Sequence, residues 1–195
     1  LDTYLTKVRP LDHAHAPIML LKAGRGLEPA YWRELAHLSW HDFFVAEGAL
    51  GVPFLLSLKE RLGQETKAEF LLLDARTGVT DIGGAAVALL PDLVVCMTTM
   101  APESRAGLRM MMRTIALTTQ SIGAKTPAFL PVLCRVPPST PADRVSEFGA
   151  SLRTYFSEPA EELRASVTTL PVCIVTSDAE VELSEDAALD LGWDS

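Results

Sequence analysis

Between Phe70 and Gly84 the chain reads Phe-Leu-Leu-Leu-Asp-Ala-Arg-Thr-Gly-Val-Thr-Asp-Ile-Gly-Gly. A short apolar run ends on a carboxylate, Asp74, and a glycine-containing turn comes next. Ligands of open α/β sheets bind beyond the carboxyl ends of the strands. A carboxylate delivered there can hold Mg²⁺, directly or through water, against phosphate oxygens. Thr77 and Gly78, just past it, are placed to offer backbone N–H groups to a terminal phosphate, as a switch loop does. Gly78, Gly83 and Gly84 give that loop backbone freedom. Taken alone, an apolar run closed by an aspartate also describes a turn cap that binds nothing. No Gly-x-x-x-x-Gly-Lys-Ser/Thr loop occurs in the chain, so the usual phosphate cradle is missing.

Other reactive types are sparse. His37 and His41 stand four apart, but Ser39-Trp40 interrupts the helix between them and no third ligand is evident. No Cys-x-x-Cys spacing exists, and Cys96, Cys134 and Cys173 each lie in or beside an apolar run, which predicts reduced core thiols. No hydrolase elbow accompanies Ser39. Arg105, Arg109 and Arg113 recur at every fourth position and form one basic stripe, expected to be a solvated helix face. As alternatives, the stripe could contact nucleic-acid phosphates or an acidic partner. Tyr31, Trp32, Trp40, Phe43 and Phe44 form an aromatic group, read as a packing patch or as a dimer or domain contact.

The elements that must position these residues are set by pattern. Ile18–Leu21 predicts a short buried strand, and Pro29 opens a helix at a tolerated first-turn position. Further helices are expected from about Asp42, and from Pro53 to about Leu62 with Gly63 as its stop. Phe70–Leu73, Leu93–Thr98, Ala128–Leu133 and Val172–Val175 predict strands. Thr80–Leu90, Pro102–Ile122, Asp143–Phe156 and Pro159–Ser166 predict helices. Pro102–Ile122 is the strongest, with an apolar stripe of Leu108, Met111, Met112, Ile115 and Ile122 ended by Gly123. Pro137-Pro138-Ser139-Thr140-Pro141 must be a loop. Strands alternating with helices imply an α/β domain whose mostly parallel sheet is covered on both faces.

Composition agrees with a single such domain. The chain has 195 residues, 48% of them apolar, and a mean hydropathy of +0.20, which argues for a buried core and against disorder. Its apolar runs are too short to span a bilayer and no signal sequence opens it, so a cytoplasmic protein is expected. Net charge is −8, and residues 177–195 carry seven acids with no Lys or Arg. The 25 acids less these seven leave 18 against 17 basic residues, so the remainder is near neutral. The reading is therefore a domain over residues 1–176 and an acidic tail over 177–195. Bulk acidity disfavours nucleic-acid binding over the whole surface.

Residues 70–108 resemble the Walker B strand and the segment after it in the ParA/MinD superfamily of deviant P-loop ATPases. The resemblance is to a bacterial subgroup patterned Asp-Ser-Arg-Thr-Gly-x-Ser/Thr-Asp-x-x-Gly, then Pro-Asp and a Val-rich strand. This chain matches at Asp74, Arg76, Thr77, Gly78, Thr80, Asp81, Gly84, Pro91, Asp92 and Val94. Ala75 replaces a serine, and Glu103 stands for the glutamine that accompanies Ser104 and Gly107. Weaker similarity runs from Ile18 to Val175, including Ala23-Gly24-Arg25, Trp40-His41-Asp42-Phe43 and Leu130-Pro131-Val132 with Arg135.

The resemblance implies a three-layer, P-loop-NTPase-like domain acting as an ATP-dependent, dimerising switch with a regulatory or positioning role. Asp74 would belong to the Mg²⁺ and γ-phosphate site, Thr77 and Gly78 would sense the γ-phosphate, and Arg135–Ser139 would lie near the base. The family's Lys-Gly-Gly-x-Gly-Lys-Ser/Thr loop should precede this region. Lys22-Ala23-Gly24-Arg25-Gly26 is similar to it only superficially, because Leu27 and Glu28 stand where Lys and Ser/Thr are required. The expectation is a domain lacking the first strand and the P-loop, so ATP and Mg²⁺ are conditional on that segment. The competing expectation is a pseudo-ATPase that keeps the fold and binds a protein partner.

Overall fold

The computed structural model describes residues 4–8, 18–21, 29–44, 46–75, 89–157 and 167–178. The chain divides into two compact units, with the division between Leu72 and Leu73.

In the N-terminal unit, strands β1 (Leu5–Val8) and β2 (Ile18–Leu21) pair antiparallel, Leu5 opposite Leu21 and Val8 opposite Ile18. The strand expected at Ile18–Leu21 is present but not buried: all four of its residues are exposed. A two-stranded ribbon has no second layer of its own to cover its faces. Three helices come after it, α1 (Pro29–His37), α2 (Trp40–Phe44) and α3 (Gly51–Thr66). Ser39 ends the gap between α1 and α2, its hydroxyl accepting the Asp42 N–H at 3.2 Å as an N-cap does.

Helix α3 runs through Gly63, the expected stop. It ends at Lys67, which takes the left-handed conformation (φ 53°) and donates its N–H to the Gly63 carbonyl. The Thr66 hydroxyl, bonded to the Leu62 carbonyl at 2.6 Å, closes the last turn. At the other end Gly51 is required by space. A Cβ there would lie 2.5 Å from both the Phe43 carbonyl oxygen and the Phe44 ring. Phe43 in turn meets Phe44 and Phe54 edge to face, at ring separations of 4.9 and 5.8 Å.

The second unit carries the sheet. Strands β3 (Leu93–Thr98), β4 (Ala128–Val136) and β5 (Cys173–Thr176) pair in parallel in that order. Val94 lies opposite Phe129, Cys96 opposite Pro131 and Thr98 opposite Leu133. Helix α4 (Pro102–Ser121) joins β3 to β4, and α5 (Ala142–Ser157) comes after β4. Pro102 in the first turn of α4 and Gly123 just beyond it, at φ +66°, mark its ends as the sequence predicts. Two crossovers stepping the same way along a sheet put both helices on one face. That face holds the core. Val94, Cys96 and Phe129 pack with Leu108, Met112 and Ile115 of α4, while Leu133 and Val136 pack with Leu152 of α5.

The architecture is thus α/β with a three-stranded parallel sheet. Two expectations change. Phe70–Leu73 forms no strand and joins no ladder among the described residues, and Phe70 and Leu72 are 81% and 90% exposed. The sheet is also uncovered along one side of β3: Leu93, Val95 and Met97 point away from α4 and are 41%, 54% and 70% exposed, although Val132 on the same side of β4 is buried. The reason is topological. Both helices fall on one side, and nothing among the described residues of this unit is threaded to the other. Of the helix expected at Thr80–Leu90 all but Leu89 and Leu90 lie outside the described residues, as do the helix expected at Pro159–Ser166 and the acidic tail beyond Asp178.

Candidate functional site

Asp74 stands at the end of the apolar segment, in neither helix nor ladder, and is exposed. Among the described residues its carboxylate has no hydrogen-bond or ion-pair partner. Thr77 and Gly78 lie outside the described residues, as does Arg76.

Arg135, the residue expected near a base, is the penultimate residue of β4. It is exposed and holds φ +56°, the left-handed region that non-glycine residues seldom enter. The cause is local. The β4–β5 register slips between Leu133 and Val136, and Arg135 lies inside that irregularity. Its charge acts on the neighbouring Cys134. Burial pushes that thiol above its usual range, while the Arg135 guanidinium and the Thr98 backbone N–H pull the other way. No hydrogen bond or ion pair joins Arg135 to Asp74 among the described residues.

The carboxyl end of β3 is polar. The Thr98 and Ser104 hydroxyls are 3.0 Å apart, Thr99 N–H donates to Ser104 Oγ at 3.1 Å, and Ala101 N–H donates to Thr99 Oγ1 at 3.3 Å. These contacts satisfy one another and fix the turn into α4, so they are structural. Motif and spacing do not single out Thr98 and Thr99. A Thr-Thr pair closing an apolar strand, with a serine inside the next helix, is the signal that marks them.

His37 ends α1 and His41 lies in α2, and no group of three His, Cys, Asp or Glu able to hold a metal exists among the described residues. Cys96 is buried, Cys134 half-buried and Cys173 exposed, so the expectation of core thiols holds for Cys96 and fails for Cys173, which sits on the terminal strand. Arg105 and Arg109 are not a solvated face. Both are half-buried against α5, Arg105 over the Phe148 and Tyr155 rings at 5.1 and 5.9 Å and Arg109 over Tyr155 at 4.8 Å. An open groove of about 460 Å³ lies along the α1–α2–α3 corner, lined by His37, Leu38, Asp42, Phe43, Glu47 and Leu50 among others. It contains none of the residues expected to bind nucleotide. No helix among the described residues is long and apolar enough to cross a membrane.

No protein-family model, curated protein or solved structure matches this chain. Its function must therefore be read from its own residues.

Proposed function

We propose that this chain is the metal-reading part of an Mg-ATP-dependent switch of the ParA/MinD type, working as a homodimer or with a protein partner in a regulatory or positioning role. The observation that carries the reading is Asp74: an exposed carboxylate with no partner among the described residues, closing an apolar run ahead of Arg76-Thr77-Gly78. Support comes also from the parallel sheet, whose carboxyl edge is where such folds take ligands.

The residues suit Mg²⁺ in a limited way. That ion keeps several waters and takes one or two protein carboxylates beside the substrate's phosphates, so a single free aspartate is the expected protein share. When bound, Mg²⁺ would neutralise charge on the phosphates. Asp74 would orient it, Thr77 and Gly78 would offer N–H donors to the terminal phosphate, and Arg135 would lie toward the base. ATP affinity further requires a phosphate loop in the native protein alongside this chain, because backbone N–H groups and a lysine must meet the phosphate charge.

ATP turnover by the native gene product that contains this chain is the test. Asp74→Ala is expected to abolish it without lowering the melting temperature, since the side chain is exposed. Unchanged turnover would sink the assignment.

One observation favours a second reading, a non-catalytic interaction module. The outward side chains of β3, namely Leu93, Val95 and Met97, are apolar and uncovered. Self-association of the chain that is indifferent to nucleotide, and weakened by Val95→Lys, is the outcome that selects this reading.

A further inference from the structure

Arg105 and Arg109 sit one turn apart on α4, about 6 Å along its axis. Both guanidinium carbons lie within 6 Å of the same ring, that of Tyr155. Arg105 is also held over Phe148. Two positive charges are therefore gathered at one seam between α4 and α5, and both side chains are half-buried. Neither guanidinium has a hydrogen-bond or ion-pair partner among the described residues, although Glu103, Asp143 and Glu147 lie on the same two helices. The Nε atom of Arg105 is buried with no acceptor among the described residues.

This arrangement is unbalanced. An aromatic face attracts a cation, but it is a weak acceptor beside a charged oxygen. Like charges that share one ring repel, and partial burial strengthens that repulsion. Attachment to the rings also removes much of the rotamer freedom that an arginine otherwise loses on binding, so the pair is pre-organised.

We propose that Arg105 and Arg109 form a seat for a phosphate dianion, either free phosphate or a small phosphomonoester. The charge decides between anions. A dianion neutralises both guanidinium groups, whereas a carboxylate neutralises one and leaves the other unpaired. A guanidinium fork also matches phosphate oxygens two at a time. The seat is formed wholly by α4 and α5 and does not involve Asp74, so it stands or falls independently of the nucleotide reading.

The test is a titration of the 195-residue protein with inorganic phosphate at about pH 8, where phosphate is a dianion, and low ionic strength, with the arginine Nε–Hε resonances as the signal. Saturable shifts confined to Arg105 and Arg109, with a Kd below about 10 mM, are expected. Acetate at matched ionic strength should produce none. Arg109→Gln should weaken phosphate binding at least about tenfold, and Arg109→Lys should recover only part of it because the fork is lost. Glycerol phosphate run in parallel identifies the source: tighter binding than inorganic phosphate assigns the seat to an ester, weaker binding to the free ion. A non-saturating response, an equal response to acetate, or an unchanged Kd in Arg109→Gln overturns the proposal. Should Arg109→Gln fail to fold, the contrast between phosphate and acetate on the native chain still decides.

Discussion

The two rows of side chains along β3 are built from the same kinds of residue and end in opposite states. On one, Val94 and Cys96, with Phe129 and Leu133 of β4, are sealed by α4 and α5. On the other, Leu93, Val95 and Met97 face outward. Composition does not separate them, since both rows are dominated by apolar side chains. Threading does: two successive crossovers in one direction deliver two helices to one side. Burial here is a property of connection order, and the apolar alternation of a strand only permits it.

The contrast is open to direct attack, starting where the effect is largest. Phe129→Ala removes a fully buried ring at the centre of the sealed face. It is expected to cost about 3–5 kcal/mol, or a melting temperature lower by on the order of 10 °C. Met97→Ala on the open side of β3 should change stability by less than about 0.5 kcal/mol. Equal losses in thermal melts would mean that this side is covered in solution.

Gly51→Ala probes a different packing point, the α2–α3 corner, where the new Cβ would strike the Phe43 carbonyl oxygen. Destabilisation of about 1–3 kcal/mol is expected, read as lost protection of α3 amides with those of β4 unaffected. Amide exchange that rises equally in both would mean that the two units open as one.

Thr119→Val tests the polar contacts at the end of α4. The Thr119 hydroxyl is fully buried, bonds the Ile115 and Ala116 carbonyls at 3.0 Å, and meets the Thr126 hydroxyl at 2.9 Å. Losing these contacts while keeping the shape should cost about 1–2 kcal/mol by denaturant titration.

The cysteines sharpen the comparison without a large energy. Cys173 is exposed on β5, whereas Cys96 lies on the side of β3 that α4 seals. A thiol reagent should modify Cys173 rapidly and Cys96 only on global opening. Burial pushes the Cys96 thiol up to about 12 from an ordinary 9.0. The folded state thus keeps the proton that the unfolded chain releases first. Stability from this group is complete below about pH 9 and falls as pH rises from there toward 12. A Cys96→Ala variant should show a shallower alkaline decline in melting temperature; an identical decline would refute the assignment.

Much of the second unit is legible from pattern. Leu93–Thr98 and the α4 stripe appear where periodicity places them, because a strand's two-residue and a helix's 3.6-residue repeats are local properties. Pro102 and Gly123 mark the ends of α4 by backbone chemistry alone. Gly63 misleads, since a glycine inside a helix is tolerated when the next turn supplies its own cap, as Thr66 and Lys67 do. Ile18–Leu21 and Phe70–Leu73 mislead for a shared reason. Apolar content predicts burial only if another layer arrives, and the described residues bring none to either. In the site, Asp74 is legible by its position after an apolar run. Arg135 is legible as a residue but not in its conformation, because the positive φ comes from a register slip between two strands far apart in sequence.

The sequence by itself determined the local elements, the missing phosphate loop, the lone carboxylate at Asp74 and the segregation of acid into residues 177–195. Each is a matter of residue type and spacing along the chain. Only the tertiary structure decided which side of β3 is sealed, which cysteine is open, and that Arg105 and Arg109 converge on the ring of Tyr155. These depend on contacts between residues far apart in sequence, and neither hydropathy nor periodicity carries that information.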